Sequence, residues 1–243
     1  LQPLGSLFAE EMHHVAEEIQ QTLAERQHWR GDMLLQHAER QLWVSLAIAP
    51  IRDEKGGISN YVCAMQDISF IKESQRKMEQ LAYYDALTGL ANRSYFRDQL
   101  RKAILMSQRG YFSFALLYFD LDEFKLINDT LGHDAGDELL LKLAAVLQDK
   151  VRKSDTVARF GGDEFVILLT GLLSPDDAAI VAQKILHQLT QPLSLSVGEV
   201  QVGASIGIAV YPNDGTDSAR LLKVADSLMY RIKQQGKNQY CFS

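Results

Sequence analysis

The chain has 243 residues, 47% of them hydrophobic and 23% charged, with 25 Lys and Arg against 31 Asp and Glu for a net charge of −6. These proportions fit a soluble globular chain and exclude disorder, a collagen-like repeat and a disulfide-stapled miniprotein; the acidic balance argues against a DNA or RNA partner while leaving local Lys and Arg free to grip small anions. No uncharged apolar run approaches the ~20 residues of a membrane-spanning helix and no basic-then-apolar leader opens the chain, so a cytoplasmic location with Cys63 and Cys241 as free thiols is expected.

Val15, Ile19 and Leu23 stand at helical spacing among Glu and Gln, which predicts an amphipathic helix from Ala9 to Arg26. Asp32 to Ala38, Gln41 to Ile51 and Ser59 to Met65 show partial period-two alternation, with a turn at Arg52-Asp-Glu-Lys-Gly-Gly57. A small antiparallel sheet is expected there. Over Ile71 to Ala82, Ile71, Met78 and Leu81 fall on a/d-type positions that Ser74 interrupts, which suits a short helical, coiled-coil-type linker.

From Tyr84 strands and helices alternate. Phe112 to Phe119 is an almost continuous apolar run, the pattern of a strand buried on both faces, and it ends in Asp120-Leu-Asp122. Helices are expected over Glu123 to Thr130 and Asp134 to Lys150, the second with Asp134 as N-cap and Asp137 at N3. Thr156 to Phe160 and Phe165 to Thr170 are strands around Gly161-Gly162, whose glycines accept the positive φ of a tight hairpin. A helix over Asp176 to Leu189, a strand over Val200 to Tyr211 and a helix from Ser218 to Gln235, stopped by Gly236, complete the order β-α-β-β-α-β. That is the ferredoxin-like, palm-type arrangement of an α+β domain.

On this layout Asp120, at the end of the central strand, neighbours Asp163 and Glu164 at the hairpin. Converging carboxylates suit Mg²⁺, which binds through one or two of them plus substrate phosphates. Two such ions make a phosphoryl-transfer site. Gly-Gly-Asp alone is ordinary turn chemistry, and an acidic hairpin tip in water would be the simpler account. The string Gly161-Gly162-Asp163-Glu164-Phe165, however, arises by chance in only about one in ten thousand chains of this length.

That string and several others in order resemble the GGDEF family of diguanylate cyclases over nearly all of residues 83–243. Asp85-Ala-Leu-Thr-Gly-Leu-Ala-Asn-Arg93 is similar to the family's DxLTxLxNR, and Phe119-Asp-Leu-Asp-Glu-Phe-Lys-Leu-Ile-Asn-Asp129 to its DxDxFKxxND. Gly132-His-Asp-Ala-Gly-Asp137, Ser205-Ile-Gly-Ile208 and Ala225-Asp226 with Tyr230 and Lys233 continue the series. The resemblance implies an enzyme that joins two GTP into cyclic di-GMP, releasing two pyrophosphates, across a homodimer in which each domain holds one GTP. It implies two Mg²⁺, or Mn²⁺ in their place, on Asp120, the Leu121 carbonyl, Asp163 and Glu164, with Asp163 also near the 3′-hydroxyl as general base.

By the same resemblance Asn128 and Asp137 read guanine, whose N1–H and exocyclic amine offer adjacent donors to a carboxylate, and His133 lines the pocket. Lys125, Lys233 and Lys237 meet phosphates. The family usually has Arg where Lys237 stands, and Lys lacks the planar fork for bidentate binding. Arg152-Lys-Ser-Asp155 matches RxxD, where many members bind cyclic di-GMP as feedback inhibitor. The rival reading is a catalytically silent module that binds GTP or cyclic di-GMP and regulates a neighbour.

Residues 10–70 resemble, through Trp29-Arg-Gly-Asp32, the strands around Ala49 to Gly56 and Asp67-Ile-Ser69, the C-terminal part of a PAS sensor domain. The expected organisation is therefore a partial PAS-like sensor over 1–70, a helical linker over 71–82 and a GGDEF domain over 83–243. His13, His14, His28 and His37 read as surface residues rather than haem ligands, and no PAS cofactor is expected. Leu1 in place of an initiator Met points to a piece of a longer protein, whose other parts could carry a membrane anchor.

Overall fold

The computed structural model describes residues 18–19, 21–23, 28–37, 40–110 and 113–243. Most of the helix expected over Ala9 to Arg26, with His13 and His14, lies outside the described residues, as do Ala38 and Phe112. The chain divides into two compact units, Leu1–Met78 and Glu79–Ser243.

In the first unit, strands β1 (Trp29–His37), β2 (Arg40–Arg52) and β3 (Ile58–Asp67) form an antiparallel sheet in the order β1-β2-β3. The alternation seen in the sequence buries Met33, Val44, Leu46 and Ile48 on one face, where Ile19 and Leu23 join them. Asp53 closes the turn by accepting from the backbone N–H of Lys55 and Gly57. Helix α1 (Ser69–Tyr83) buries none of its residues. Its Lys72 pairs with Asp32 at 2.9 Å.

The second unit is built on a five-stranded sheet. Its elements are α2 (Arg93–Gln108), β4 (Ser113–Leu121), α3 (Phe124–Leu131), α4 (His133–Lys150), β5 (Thr156–Gly161), β6 (Glu164–Leu172), α5 (Asp176–Leu189), β7 (Leu193–Leu195), β8 (Gly198–Val200), β9 (Ala204–Tyr211), α6 (Ser218–Gln235) and β10 (Gln239–Phe242). The sheet order is β10-β9-β4-β6-β5, with β7 and β8 forming a separate hairpin. β4 runs antiparallel to both β6 and β9, while β10 pairs parallel with β9. The four strands β9-β4-β6-β5 form the ferredoxin-like sheet, and β10 extends it.

Strand alternation divides the core between two faces. Leu117, Phe119, Leu121, Phe165 and Ile167 pack against α4 and α5 through Leu139, Leu143, Ala178 and Ile185. Leu116, Tyr118, Val166 and Leu168 pack against α2 and α6 through Phe96, Leu100, Leu221 and Met229. α6 lies close on β9 because Gly207 has no side chain: a Cβ there would come within 1.9 Å of the Ala225 carbonyl oxygen.

Two expected elements need correcting. Helix α4 starts at His133, with Gly132 as N-cap at φ 89° and no side-chain cap; Asp134 lies in its first turn and Asp137 beyond it, so neither plays the capping role expected. The strand expected over Val200 to Tyr211 is two strands, broken at Gln201–Gly203. There the Gly203 carbonyl accepts from the Asp122 N–H, and a Cβ on Gly203 would lie 2.9 Å from the Asp122 carboxylate, so the chain bends to make room for that acid. Helix α2, the β7–β8 hairpin and β10 carried no sequence expectation; α2 is capped by the Asn92 side chain, which accepts from the N–H of Ser94 and Tyr95.

Candidate active site

The site forms where the central strand ends. Asp120 stands opposite Glu164 on β6 and Ser205 on β9, so pairing register alone brings one acid from each of β4 and β6 together. The turn between β5 and β6 is made by Gly161 at φ 141° and Gly162 at φ 54°, conformations that L side chains rarely adopt, and it sets Asp163 beside Asp120. Asp120 is only 8% exposed. Its burial and the charge of Asp163 push its carboxyl up to about 7, against the pull of the Lys233 ammonium that donates to it from the last turn of α6.

The acids are held by further side chains. Glu164 accepts from the Tyr118 hydroxyl at 3.2 Å. Arg159 donates through Nε to the Gly162 carbonyl and through Nη1 to Asp85, both at 2.9 Å, tying the hairpin to the loop after α1. Burial raises the Asp85 carboxyl, but hydrogen bonds from Thr88 and Arg159 outweigh it and hold the group below the usual carboxylate range. Asp122, 7% exposed, turns from the cluster: it accepts from the Ser205 hydroxyl and the Asn238 N–H, each at 2.8 Å.

Leu121 ends β4, placing its backbone beside Asp120. Lys237 pairs with Glu123 at 2.8 Å, and Lys125 is exposed in the first turn of α3, so Lys125, Lys233 and Lys237 all stand near the Asp120–Glu123 segment. Asn128, on α3, packs against α4 at Gly136, where a Cβ would come within 1.9 Å of Asn128 Oδ1. That oxygen is buried and has no hydrogen-bond partner among the described residues. An unpaired buried acceptor costs about 1–3 kcal/mol, a cost the fold bears at a residue expected to bind guanine. His133 and Asp137 are exposed at the start of α4.

Arg152 and Asp155 are elsewhere. Asp155 accepts from the Thr170 N–H, six residues along β6 from Glu164, a separation of about 20 Å in an extended strand. Its other oxygen accepts from the Arg152 N–H at 2.9 Å. The pair borders a cavity of about 290 Å³ whose other cations are Lys150 and Lys184, and another of about 450 Å³ reaching Tyr84 and Tyr95, whose rings stack at 5.7 Å. Among the described residues, no arginine besides Arg152 lines either cavity.

The sequence reading passed over Tyr118 and Arg159, although spacing marks both. Tyr118 lies two residues before Asp120 and so on the same face of the strand, and Arg159 lies two residues before the hairpin glycines.

Residues 82–239 match the family model described as diguanylate cyclase, GGDEF domain. The chain belongs to the GGDEF family. It is 45% identical over 172 residues to the bifunctional diguanylate cyclase/cyclic di-GMP phosphodiesterase MucR of Pseudomonas aeruginosa, a match covering 71% of this chain and 25% of MucR. The solved GGDEF domain of TpbB from the same organism superposes with a TM-score of 0.64 at 40% identity, covering 66% of this chain and 94% of that one. The coiled coil and GGDEF domain of DgcB from Caulobacter crescentus, solved with cyclic di-GMP, gives a TM-score of 0.66 at 26% identity, covering 72% and 93%. The chain spans 25% to 39% of the length of the first curated relatives it matches. Among the described residues no helix is long and apolar enough to cross a membrane.

Proposed function

We propose that this GGDEF domain is a diguanylate cyclase that condenses two GTP into cyclic di-GMP and releases two pyrophosphates, each domain of a homodimer presenting one GTP to the other. The observation that carries the reading is the placement of Asp163 beside buried Asp120, which the Lys233 ammonium meets, with Glu164 at the register position opposite Asp120. Among the described residues no group of three or more metal-ligating side chains stands preassembled. The donor set nevertheless fits Mg²⁺, since carboxylates this close hold uncompensated negative charge and the remaining ligands of such an ion are ordinarily phosphates. Asp120, the Leu121 carbonyl, Asp163 and Glu164 would hold Mg²⁺ or Mn²⁺, which would supply Lewis-acid activation of the 3′-hydroxyl and neutralisation of the leaving pyrophosphate.

The chain's own residues do the rest. Lys233 and Lys237 exchange their carboxylate partners for phosphate oxygens, and Lys125 adds a third cation at the start of α3. Asp137 and Asn128 select guanine: an ionised carboxylate accepts from its N1–H and amine, where adenine presents an acceptor, and His133 borders the base. Asp163 takes the proton of the attacking 3′-hydroxyl. Arg152 and Asp155 bind cyclic di-GMP remote from the reaction and slow further synthesis. α1 links the N-terminal PAS-like unit to the catalytic domain and sets how two domains meet.

The test is incubation of the purified chain with GTP and Mg²⁺, with nucleotides resolved by chromatography, beside an Asp163→Ala, Glu164→Ala variant. Cyclic di-GMP from the native chain alone supports the proposal. Its absence, with bound cyclic di-GMP stripped and protein concentration high, favours the second reading, a silent nucleotide-binding module. The engagement of Asp120 by Lys233 is the observation on that side.

A further inference from the structure

Tyr118 is a residue that neither nucleotide nor cation is expected to touch, yet it is tied to the site by its one polar atom. The residue is 6% exposed, within the cluster that joins the sheet to α2 and α6. Phe160 meets it edge-on, with centroids 5.9 Å apart and planes at 85°, and Arg93 lies 5.1 Å from the centre of the Phe160 ring. A phenol buried this way needs a partner for its hydroxyl. Tyr118 pairs with Val166 across the strands, so Glu164 is its diagonal neighbour, within reach of an aromatic side chain. The hydroxyl donates there to Glu164 Oε2 at 3.2 Å.

We infer that Tyr118 is a positioning residue for the divalent cation: its hydroxyl occupies Glu164 Oε2, fixes the carboxylate's rotation and presents Oε1 to the ion. This rests on the proposal that Glu164 holds metal, and it adds an outer contact to that site. A ligating carboxylate that is itself hydrogen-bonded is pre-oriented, and loss of such an outer partner typically costs about 10–100-fold in metal affinity or activity. Phe in place of Tyr keeps the ring, its packing on Phe160 and its place in the core. Only the hydroxyl goes.

The experiment compares the full native chain, Tyr118→Phe, Glu164→Gln and the double variant. Mn²⁺ binding is followed by the electron paramagnetic resonance of free Mn²⁺, with a GTP analogue that cannot release pyrophosphate. The Mg²⁺ concentration for half-maximal cyclic di-GMP formation is read in parallel. Tyr118→Phe is expected to weaken Mn²⁺ binding about tenfold or more and to raise the half-saturating Mg²⁺ by a similar factor. The rate at saturating Mg²⁺ should stay within about threefold, because the reacting groups are untouched. In the Glu164→Gln background Tyr118→Phe should weaken binding no further, since the contact it breaks no longer orients a carboxylate. Native-like Mn²⁺ affinity in Tyr118→Phe, or equal losses in both backgrounds, overturns the inference while leaving the cyclase reading in place. A native chain that binds no Mn²⁺ beside the nucleotide overturns both.

Discussion

The Asp163–Glu164 hairpin and the Arg152–Asp155 turn lie toward opposite ends of β6, and both present acids, yet they are held by different means. The hairpin depends on distant parts of the chain: Glu164 is met by Asp120 and Tyr118 from β4, Gly162 by Arg159, and Arg159 by Asp85 from the loop after α1. Asp155 instead folds one oxygen onto the backbone three residues earlier and the other onto the adjoining strand at Thr170. The difference teaches that the hairpin's geometry is spread over the fold, whereas the Arg152–Asp155 turn is almost self-contained. Under the proposed function, damage to the hairpin's supports should therefore cut turnover steeply, and damage to the turn should alter only its regulation.

The largest effect should come from Asp120→Asn, which keeps the shape of the side chain and removes its charge. Loss of several kcal/mol of charge stabilisation predicts a fall in the initial rate of cyclic di-GMP formation of about a thousandfold. Next comes Arg159→Lys, which keeps the positive charge but cannot reach Gly162 and Asp85 with one planar group. A hairpin freed to shift by about 1 Å predicts a kcat loss of about a hundredfold, with the sheet's circular dichroism unchanged. Arg152→Ala sharpens the contrast from the other side. Its initial rate should match the native chain's, while the cyclic di-GMP concentration that halves the rate should rise about 10–100-fold, the worth of one charge-assisted contact.

The smallest effect is one of stability. The Asp85 carboxyl is held below its ordinary range in the folded chain, so its ionised form stabilises the fold above the unfolded pKa of about 4, and that contribution disappears as pH falls through the depressed folded value. Asp85→Asn should melt a few degrees below the native chain at pH 7, and the gap should narrow as the pH is taken below about 4. A gap constant with pH would mean that Asp85 contributes through shape alone.

Much of the second unit was legible in the sequence. The apolar run ending in Asp120, the Gly161-Gly162 turn and the helices over Asp176 to Leu189 and Ser218 to Gln235 give the strand order and set Asp120 near the hairpin acids. What escaped depended on other things. Helix α2 buries Phe96, Leu100, Ala103 and Ile104, but Leu105 and Met106 lie exposed on its other side and blur the stripe. β10 is a four-residue strand whose parallel partner is reached only after α6 has crossed the sheet. The capping role expected of Asp134 failed because Gly132, at φ 89°, starts the helix one residue earlier. Nor does a motif reveal that both Asp155 oxygens already serve the backbone, or that Lys233 spans 113 residues to reach Asp120.

The Lys233–Asp120 pair has a bearing on how the chain matures. Acids gathered for a divalent cation repel one another, and many such sites take shape only when the ion is supplied. Here the last turn of α6 brings an internal counter-ion to the most buried of them. The domain can therefore fold with part of its acidic charge already balanced, and under the proposed function nucleotide and ion would enter by displacing an ammonium group that then has phosphates to turn to.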